Sequence, residues 1–418
     1  MIELFETKST TVPITKQMVK KAYVKVKSNQ GSAGVDKESL ESFQADLLKN
    51  LYKLWNRLSS GSYFPKPVRE VTIPKANGSK RTLGIPTVSD RIAQEVIKAY
   101  IEPRLEATFH KNSYGYRPLK SAHQAVEAVR EHVRQYAWVL DIDIKNFFDE
   151  VSHELLLNAL DCHVEEKWVK MYINRWLECS SHRQDGTLQP RAGKGTPQGG
   201  VISPLLSNLY LHYVLDKWLS QQYPQLSFVR YADDIVIHCN NEIEANQLLD
   251  AIRKRLEECK LRLNEEKTKI VYCQDYRNEK KNYKKKFDFL GFTFQPYSRG
   301  NKAGREYWWY DCAISQSAQS RIVTGWKKLN LHRQSSLTIQ EIATMINLQM
   351  RGIISYYGKY KKWTLQKLIW QFHFRLAKWV LNKYKGLNGN YSKAYQWIKS
   401  IKLSYPTMFY HWTLFKSV

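Results

Sequence analysis

Two adjacent aspartates, Asp233 and Asp234, lie between two apolar runs that are each typical of a buried strand. The intervening turn at 231–234 (Tyr-Ala-Asp-Asp) predicts a hairpin, so both carboxylates should converge at its tip. Two like charges at close range repel each other, and a bound cation relieves the repulsion. An Asp-Asp pair alone is more often a polar turn, but this setting predicts a divalent-cation site that suits phosphoryl transfer by two ions.

A third carboxylate comes from the apolar run at 138–144, which is typical of a buried strand and yet carries Asp141 and Asp143. Charged groups in a buried strand need a partner, and a metal ion is one such partner. Because side chains alternate along a strand, both aspartates face the same side. Spacing therefore leaves open which of the two joins Asp233 as a ligand.

The composition indicates a polyanionic partner. The chain has 418 residues, enough for two or three packed units, and its 65 Lys and Arg against 39 Asp and Glu give a formal net charge of +26. The alternative is a merely solvated basic surface, but 13 Trp and 26 Tyr supply rings on which bases stack. Six scattered cysteines without a C-x-x-C pair predict neither a zinc knuckle nor a disulfide framework.

The sequence predicts no membrane partner. No run approaches the roughly 20 apolar residues of a membrane span, and the N-terminus lacks the pattern of a signal peptide. We therefore expect a cytoplasmic location. The oligomeric state is left open by the sequence.

Strands and helices alternate around the acidic residues. The run at 138–144, the hairpin at 228–239 and a strand pair at 287–294 predict a short antiparallel sheet among helices, which is an α+β fold. Two further strands are predicted at 68–74 and 81–86.

Beyond about residue 310 the sequence predicts helices to the end. One stretch places apolar residues at the i, i+3, i+4 and i+7 positions of a single helix face. These residues are Leu365, Leu368, Ile369, Phe372, Leu376, Trp379 and Val380. Lys367, Arg375, Lys378 and Lys383 fall on the other faces. We expect the apolar face to be core.

The turn at 231–234, with 143–149 (Asp-Ile-Lys-Asn-Phe-Phe-Asp) before it, resembles the reverse transcriptases that bacterial group II introns encode. Five further segments resemble, in order, an N-terminal extension motif, a fingertip, a template-side insertion, a nucleotide-contacting loop and a primer grip. These segments are 29–36, 75–91, 113–118, 195–204 and 289–294. The resemblance implies a right-hand polymerase, with fingers at about 1–136, a palm at about 137–300 and a helical thumb or maturase domain (domain X) at 301–418.

The resemblance also implies a role for each matching residue, and it selects Asp143 over Asp141. Two Mg²⁺ ions, for which Mn²⁺ can substitute, would be held by Asp143, Asp233, Asp234 and the main-chain carbonyl of Ile144. The incoming dNTP would contact Lys75, Arg81, Phe148, Gln198, Gly199 and Lys267. Template and primer would contact Asn29, Gly31, Arg117, Leu290 and Gly291.

Elementary chemistry supports several of these roles. Lys75 as a point charge and Arg81 as a planar fork are suited to a triphosphate. Phe148 would clash with a ribose 2′-hydroxyl and so select deoxynucleotides, although it also fits a core aromatic. Gly199 would let the backbone approach the nucleotide closely.

The resemblance implies an RNA-directed DNA polymerase that extends a DNA or RNA primer on an RNA template. It also implies a maturase domain that assists splicing and mobility of a structured group II intron RNA. The cysteine pairs and histidines of an HNH endonuclease domain are not seen, so we expect priming on single-stranded or nicked DNA. Two alternatives stay open. One is a domesticated or defence-associated reverse transcriptase on the same scaffold, and the other is a non-enzymatic splicing maturase.

Overall fold

A computed structural model describes residues 12–74, 80–273, 283–300 and 306–415 of the chain. These residues pack as two units. The first comprises the described residues up to Ala125 together with Leu140–Thr268, and the second comprises Val126–Val139 and the described residues from Lys269 onward. Packing alone defines these units. The division into fingers, palm and thumb concerns function, and its boundaries stay predictions.

Helices make up most of the first unit. In chain order they are α1 (Lys16–Asn29), α2 (Leu40–Ala45), α3 (Leu47–Ser59), α4 (Val88–Thr108), α5 (Ala122–His132), α6 (Phe147–Glu150), α7 (His153–Asp161), α8 (Lys167–Glu178), α9 (Ser203–Leu211), α10 (Lys217–Gln222) and α11 (Glu242–Glu258). A π-helical turn, His212–Asp216, joins α9 to α10, and α5 continues into the second unit. Several helices begin where a side-chain oxygen accepts a backbone N–H of the first turn. These capping residues are Thr15, Ser39, Thr87 and Asn241.

The strands form three small sheets, so the predicted α+β class is confirmed. In chain order they are β1 (Val68–Pro74), β2 (Lys80–Ile85), β3 (Trp138–Asp143), β4 (Ser181–His182), β5 (Leu188–Gln189), β6 (Ser227–Tyr231), β7 (Asp234–Cys239), β8 (Lys269–Tyr272), β9 (Phe287–Phe289), β10 (Phe292–Gly300) and β11 (Glu306–Ile314). The sheet orders are β2-β1-β4-β5, β6-β7-β3-β8 and β11-β10-β9. The predicted hairpin is the antiparallel pair β6/β7, and the strands predicted at 68–74, 81–86 and 138–144 are present within a residue or two. The prediction was wrong for the strand pair at 287–294, because β10 continues to Gly300 and the pair lies in a sheet of its own with β11.

The strands that carry the aspartates are apolar because both of their faces are covered. In β7 the run Ile235, Val236 and Ile237 is at most 1% exposed, and in β3 Val139 and Leu140 are 0% exposed. Continuous apolar runs of this kind are typical of strands buried on both sides. The aspartates therefore stand at the ends of rigid elements.

The second unit combines the β9–β11 sheet with four helices, α12 (Gln316–Lys328), α13 (Ile339–Tyr357), α14 (Leu365–Lys383) and α15 (Tyr391–Ser404). The predicted apolar face of α14 is confirmed as core, because all seven of its residues are buried. The prediction of helix from about residue 310 was wrong at its start, since β11 continues to Ile314. The residues from Tyr310 to Ile314 are all buried, so both faces of β11 are covered there and no alternating pattern marks the strand.

No helix in the described ranges combines the length and the apolarity that crossing a membrane requires.

A buried ion pair lies beside the turn of the β6/β7 hairpin. The Arg230 guanidinium donates to both carboxylate oxygens of Asp216, at 2.7 Å from Nε and 2.5 Å from Nη2. Both side chains are at most 1% exposed. Burial works against the charge of Asp216, but Arg230 beside it keeps the pKa of that carboxyl below its ordinary value. The remaining Nη1 donates to Asn208 Oδ1 at 3.0 Å and to the carbonyl of Ala232 at 3.1 Å.

Replacing one partner of this buried pair should destabilise the protein strongly. We expect Asp216→Asn to lower the free energy of unfolding by about 3–5 kcal/mol, because Arg230 would keep a buried charge without a counter-ion. The matched control is Asp250→Asn, which removes the same charge from a pair with Arg253 whose aspartate is 69% exposed. That change should cost less than about 1 kcal/mol. Urea unfolding followed by tryptophan fluorescence measures both values, and equal effects would contradict the prediction.

Candidate active site

The hairpin turn is shaped by its surroundings. Tyr231 and Asp234 are the last paired residues of β6 and β7, which leaves Ala232 and Asp233 as a two-residue turn. Ala232 has a φ of +57°, in the left-handed region that side-chain-bearing residues rarely adopt. Its carbonyl accepts the hydrogen bond from Arg230 described above, so the buried ion pair stabilises this conformation.

A loop at 113–118 packs directly against the turn, and only glycine permits the contact. A Cβ atom added at Gly115 would lie 2.4 Å from the backbone nitrogen of Ala232. The loop is fixed by hydrogen bonds from the Tyr114 amide to the Arg230 carbonyl, at 2.8 Å, and from Asn208 Nδ2 to the Gly115 carbonyl, at 2.7 Å. The segment that resembles the template-side insertion is therefore part of the same rigid assembly as the aspartates.

Asp143 is held by the segment that follows α11. The Asn264 amide donates to the Asp143 carbonyl at 2.8 Å, and Asn264 Nδ2 donates to Asp143 Oδ1 at 3.0 Å. Lys267 Nζ lies 3.1 Å from the other carboxylate oxygen. The Asp143 side chain remains 32% exposed, which leaves room for a ligand. The sequence singled out Lys267 but missed Asn264, whose contacts lie more than 100 residues away along the chain.

Asp234 senses the charges of the other two predicted ligands, Asp143 and Asp233. The pKa of Asp234 is raised to about 7, first by loss of hydration among the surrounding residues and then by the negative charges of Asp233 and Asp143. Asp234 is nevertheless an exposed residue at the start of β7. A divalent cation at this edge would relieve the crowding and favour the ionised carboxylates.

The donor set fits Mg²⁺. Within the described ranges, no three acidic, histidine or cysteine side chains form a ready-made cage for a metal ion. Mg²⁺ does not require one, because it is commonly bound by one or two carboxylates while water and substrate phosphates supply its other ligands. Asp143, Asp233 and Asp234 offer oxygen donors of that kind at an exposed edge.

The loop at 195–204 lies on strand β2 through contacts between glycines. Gly199 has a φ of +120°, and a Cβ atom there would lie 2.6 Å from the Gly84 carbonyl oxygen. The Gly84 amide in turn donates to the Gln198 carbonyl at 2.8 Å. On the other side, the Thr196 amide donates to the Phe148 carbonyl at 2.8 Å. The loop thus joins the backbone of Phe148 to that of Gly84 in β2, while the shared role of Phe148, Gln198 and Gly199 stays a prediction.

Phe148 itself is largely part of the core. It is 8% exposed and makes an edge contact with Phe147, with 5.3 Å between ring centroids. The interpretation as a core aromatic is therefore confirmed, while its role as a gate stays a prediction. Beside the loop lies a cavity of about 530 Å³, which is lined by Arg183, Arg191 and Lys194 together with the acids Glu70 and Asp149.

Arg117 has a structural task within the protein. Its guanidinium donates to the Glu106 carboxylate, with a shortest distance of 2.7 Å, and to the carbonyls of His110 and Ser113, at 2.6 and 2.7 Å. The side chain is 6% exposed. Because its donors are engaged within the protein, Arg117 shapes the 113–118 loop, and its contact with the template stays a prediction.

The remaining predicted residues lie in several places. Lys75 is outside the described residues, and Arg81 is in β2 with its side chain undescribed. Ile144 follows β3 and is 4% exposed. Asn29 ends α1, and Gly31 has a φ of +117° in a loop whose flanking carbonyls accept hydrogen bonds from Arg91.

Leu290 and Gly291 form the turn between β9 and β10 in the second unit. Their φ angles are +49° and +80°. Helix α13 supports the turn, because Tyr356 Oη donates to the Leu290 carbonyl at 2.9 Å, and a Cβ atom at Gly291 would lie 2.9 Å from Tyr357 Oη. The segment that resembles the primer grip is therefore held by the helix that resembles the maturase domain.

The chain is similar in sequence to several known proteins. Protein YkfC of Escherichia coli (strain K12) is 35% identical over 285 residues, covering 58% of this chain and 73% of that protein. The group II intron-encoded protein LtrA of Lactococcus lactis subsp. cremoris is 28% identical over 365 residues, covering 82% of this chain and 57% of LtrA. The uncharacterized 91 kDa protein in cob intron of Schizosaccharomyces pombe is 31% identical over 204 residues, covering 47% of this chain and 24% of that protein.

The chain therefore spans most of YkfC but little more than half of LtrA. A family profile described as "Reverse transcriptase (RNA-dependent DNA polymerase)" matches residues 73–294, more than half of the chain. The matched range contains the aspartate hairpin, the strand that ends at Asp143 and the glycine loop around Gly199. The chain belongs to the reverse transcriptase family of RNA-dependent DNA polymerases.

Proposed function

We propose that this reverse transcriptase copies RNA into cDNA at the edge formed by Asp143, Asp233 and Asp234. The observation that supports the proposal best is the pKa of Asp234, which loss of hydration and then the negative charges of Asp233 and Asp143 raise to about 7. When bound, a pair of Mg²⁺ ions would activate the primer 3′-hydroxyl and stabilise the leaving pyrophosphate. The three aspartates, with the Ile144 carbonyl, would hold the ions in place.

We assign to Asn264 the role of positioning Asp143. Its side-chain amide fixes one carboxylate oxygen, while its backbone amide fixes the strand end from which the aspartate projects. A carboxylate ligand that is oriented in advance binds its metal more tightly. The Lys267 ammonium also binds the Asp143 carboxylate. The Lys267 side chain is 56% exposed, so it can also turn toward a phosphate of the nucleotide.

The nucleotide would lie between the aspartates and the glycine loop. Gln198 and Gly199 would border it, Phe148 would exclude the 2′-hydroxyl, and Lys75 with Arg81 would bind the triphosphate. The loop is rigid where these contacts are needed, since hydrogen bonds attach it to both β2 and α6. Asn29 and Gly31 would contact the template, and Leu290 with Gly291 would support the primer.

We further propose that the second unit binds a structured intron RNA and assists its splicing and mobility. LtrA is named as a group II intron-encoded protein, and it matches 82% of this chain. The charge of the C-terminal helices supports an RNA partner. Residues 316–415 contain 16 Lys and Arg but one acidic residue, Glu341. That carboxylate is engaged in the cap of α13, where it accepts from the Thr338 backbone at 2.7 Å.

Loss of a metal ligand should abolish DNA synthesis. We expect Asp233→Ala to reduce extension of oligo(dT) on poly(rA) with Mg²⁺ by at least about 100-fold, because each metal ion contributes several kcal/mol to the transition state. Asp250→Ala, which removes an exposed acid from α11, should leave the rate within about twofold. Primer extension by the purified proteins measures both. Full activity of Asp233→Ala would refute the assigned site, and inactivity of the wild type would favour the non-enzymatic maturase.

Loss of the Asn264 side chain should weaken metal binding without removing a ligand. We expect Asn264→Ala to lower kcat by about 10–100-fold and to raise the Mg²⁺ concentration needed for half-maximal rate, since partners of metal ligands typically have effects of this size. The control is Asn246→Ala, because Asn246 donates only to the Glu242 carbonyl one helical turn earlier. Titration of Mg²⁺ in the primer-extension assay tests this. A lower kcat with an unchanged Mg²⁺ requirement would contradict the positioning role.

A further inference from the structure

A pocket of about 410 Å³ lies in the second unit, between the end of α12 and the outer face of α14. Its volume is in the range of small-molecule sites. None of the residues that line the pocket is one of the three aspartates or belongs to a segment that resembles a polymerase motif. The side chains that matter to the argument are Trp326, Lys327, Gln371, Phe374, Arg375 and Lys378.

The lining of this pocket is positive and carries no carboxylate. Lys327, Arg375 and Lys378 form no ion pair with any acidic side chain in the described part of the chain. Arg375 donates to the Gln371 carbonyl within its own helix, and partial burial lowers its pKa. The only acidic residue of 316–415, Glu341, is committed to a helix cap. An anionic ligand would therefore meet three cations without a competing protein anion.

The pocket also offers a fixed aromatic surface. Phe374 is 42% exposed and stacks on Tyr391, with ring planes 9° apart and centroids separated by 5.6 Å. The Lys378 ammonium lies 4.7 Å from the Phe374 ring centroid. Trp326 is 1% exposed and is anchored by a 3.1 Å hydrogen bond from Nε1 to Gln349. An exposed ring that neighbouring residues hold in place suits stacking of a planar base.

We propose that this pocket accepts one unpaired nucleotide of a bound RNA, with its base against Phe374 and its phosphate among Lys327, Arg375 and Lys378. Gln371 supplies an amide that can hydrogen-bond the base edge. A base inside a duplex cannot enter, because its edges are paired and its faces are stacked. Proteins that read RNA by sequence or shape commonly use such splayed bases. The inference rests on the proposed RNA-binding role of the second unit and names one contact within it.

The test compares two RNA hairpins that share one stem, of which only one carries a single-nucleotide bulge. We expect the wild-type protein to bind the bulged hairpin about 10-fold more tightly, since stacking of one base contributes about 1–3 kcal/mol. Lys327→Gln and Phe374→Leu should each reduce this preference to about twofold or less. Lys327→Gln should also lower the slope of log affinity against log salt by about 1.

Two matched controls come from the same helices. Lys328→Gln removes the same charge from the next residue of α12, and Trp370→Leu removes another exposed ring from α14, but neither residue lines the pocket. Both controls should keep the preference for the bulge. Crosslinking of a 5-iodouridine at the bulge should label a peptide that contains Phe374.

Three results would overturn the inference. The first is that the wild type shows no preference for the bulge, and the second is that the control variants lose as much of the preference as the pocket variants do. The third is that the pocket variants bind both hairpins more weakly to the same extent, which would indicate a surface for duplexes. Primer extension on poly(rA)/oligo(dT) is measured in parallel, and all four variants should retain it within about twofold. The protein could therefore lack the bulge preference and keep polymerase activity, or keep the preference and lack the activity. The two assays distinguish these outcomes.

Discussion

One buried guanidinium supports the geometry of the aspartate edge. Arg230 binds the Asp216 carboxylate with two nitrogens, and its third nitrogen reaches Asn208 and the carbonyl of the turn. A buried charge is costly unless its hydrogen bonds are complete, so this arrangement tolerates little displacement. Asn208 then holds Gly115, which places the 113–118 loop against the turn. The turn, the loop and the helical segment of Asp216 consequently form one rigid assembly.

The second constraint on the site is the direct contact of main chains at two glycines. Gly115 against Ala232, and Gly199 against Gly84, are approaches that a single methyl group would prevent. Both occur beside segments that the family resemblance assigns to template or nucleotide. Close contact of main chains leaves the polar groups of the loops fixed, because no flexible side chain lies between them. Preorganised groups of this kind lose less entropy when a substrate binds.

The sequence predicted what local pattern and motif can express. Apolar runs and an intervening turn predicted the strand that ends at Asp143 and the hairpin of Asp233, and helical periodicity predicted the apolar face of α14. The sequence missed Asn264 because that contact joins residues 121 positions apart, and polar partners over such distances leave no periodic signal. The resemblance of the 113–118 segment implied a template contact for Arg117, and the sequence did not reveal that Glu106, 11 positions earlier, pairs with this arginine.

The scarcity of acids in the C-terminal helices has a consequence for how the protein behaves before it meets RNA. With 16 positive charges and one negative charge between residues 316 and 415, this part of the molecule repels itself at low ionic strength. A polyanion that binds only the folded form would relieve the repulsion and shift the folding equilibrium by mass action. RNA would then act as a counter-ion that stabilises the fold as well as a ligand. Free protein and ribonucleoprotein should accordingly differ in their resistance to proteolysis.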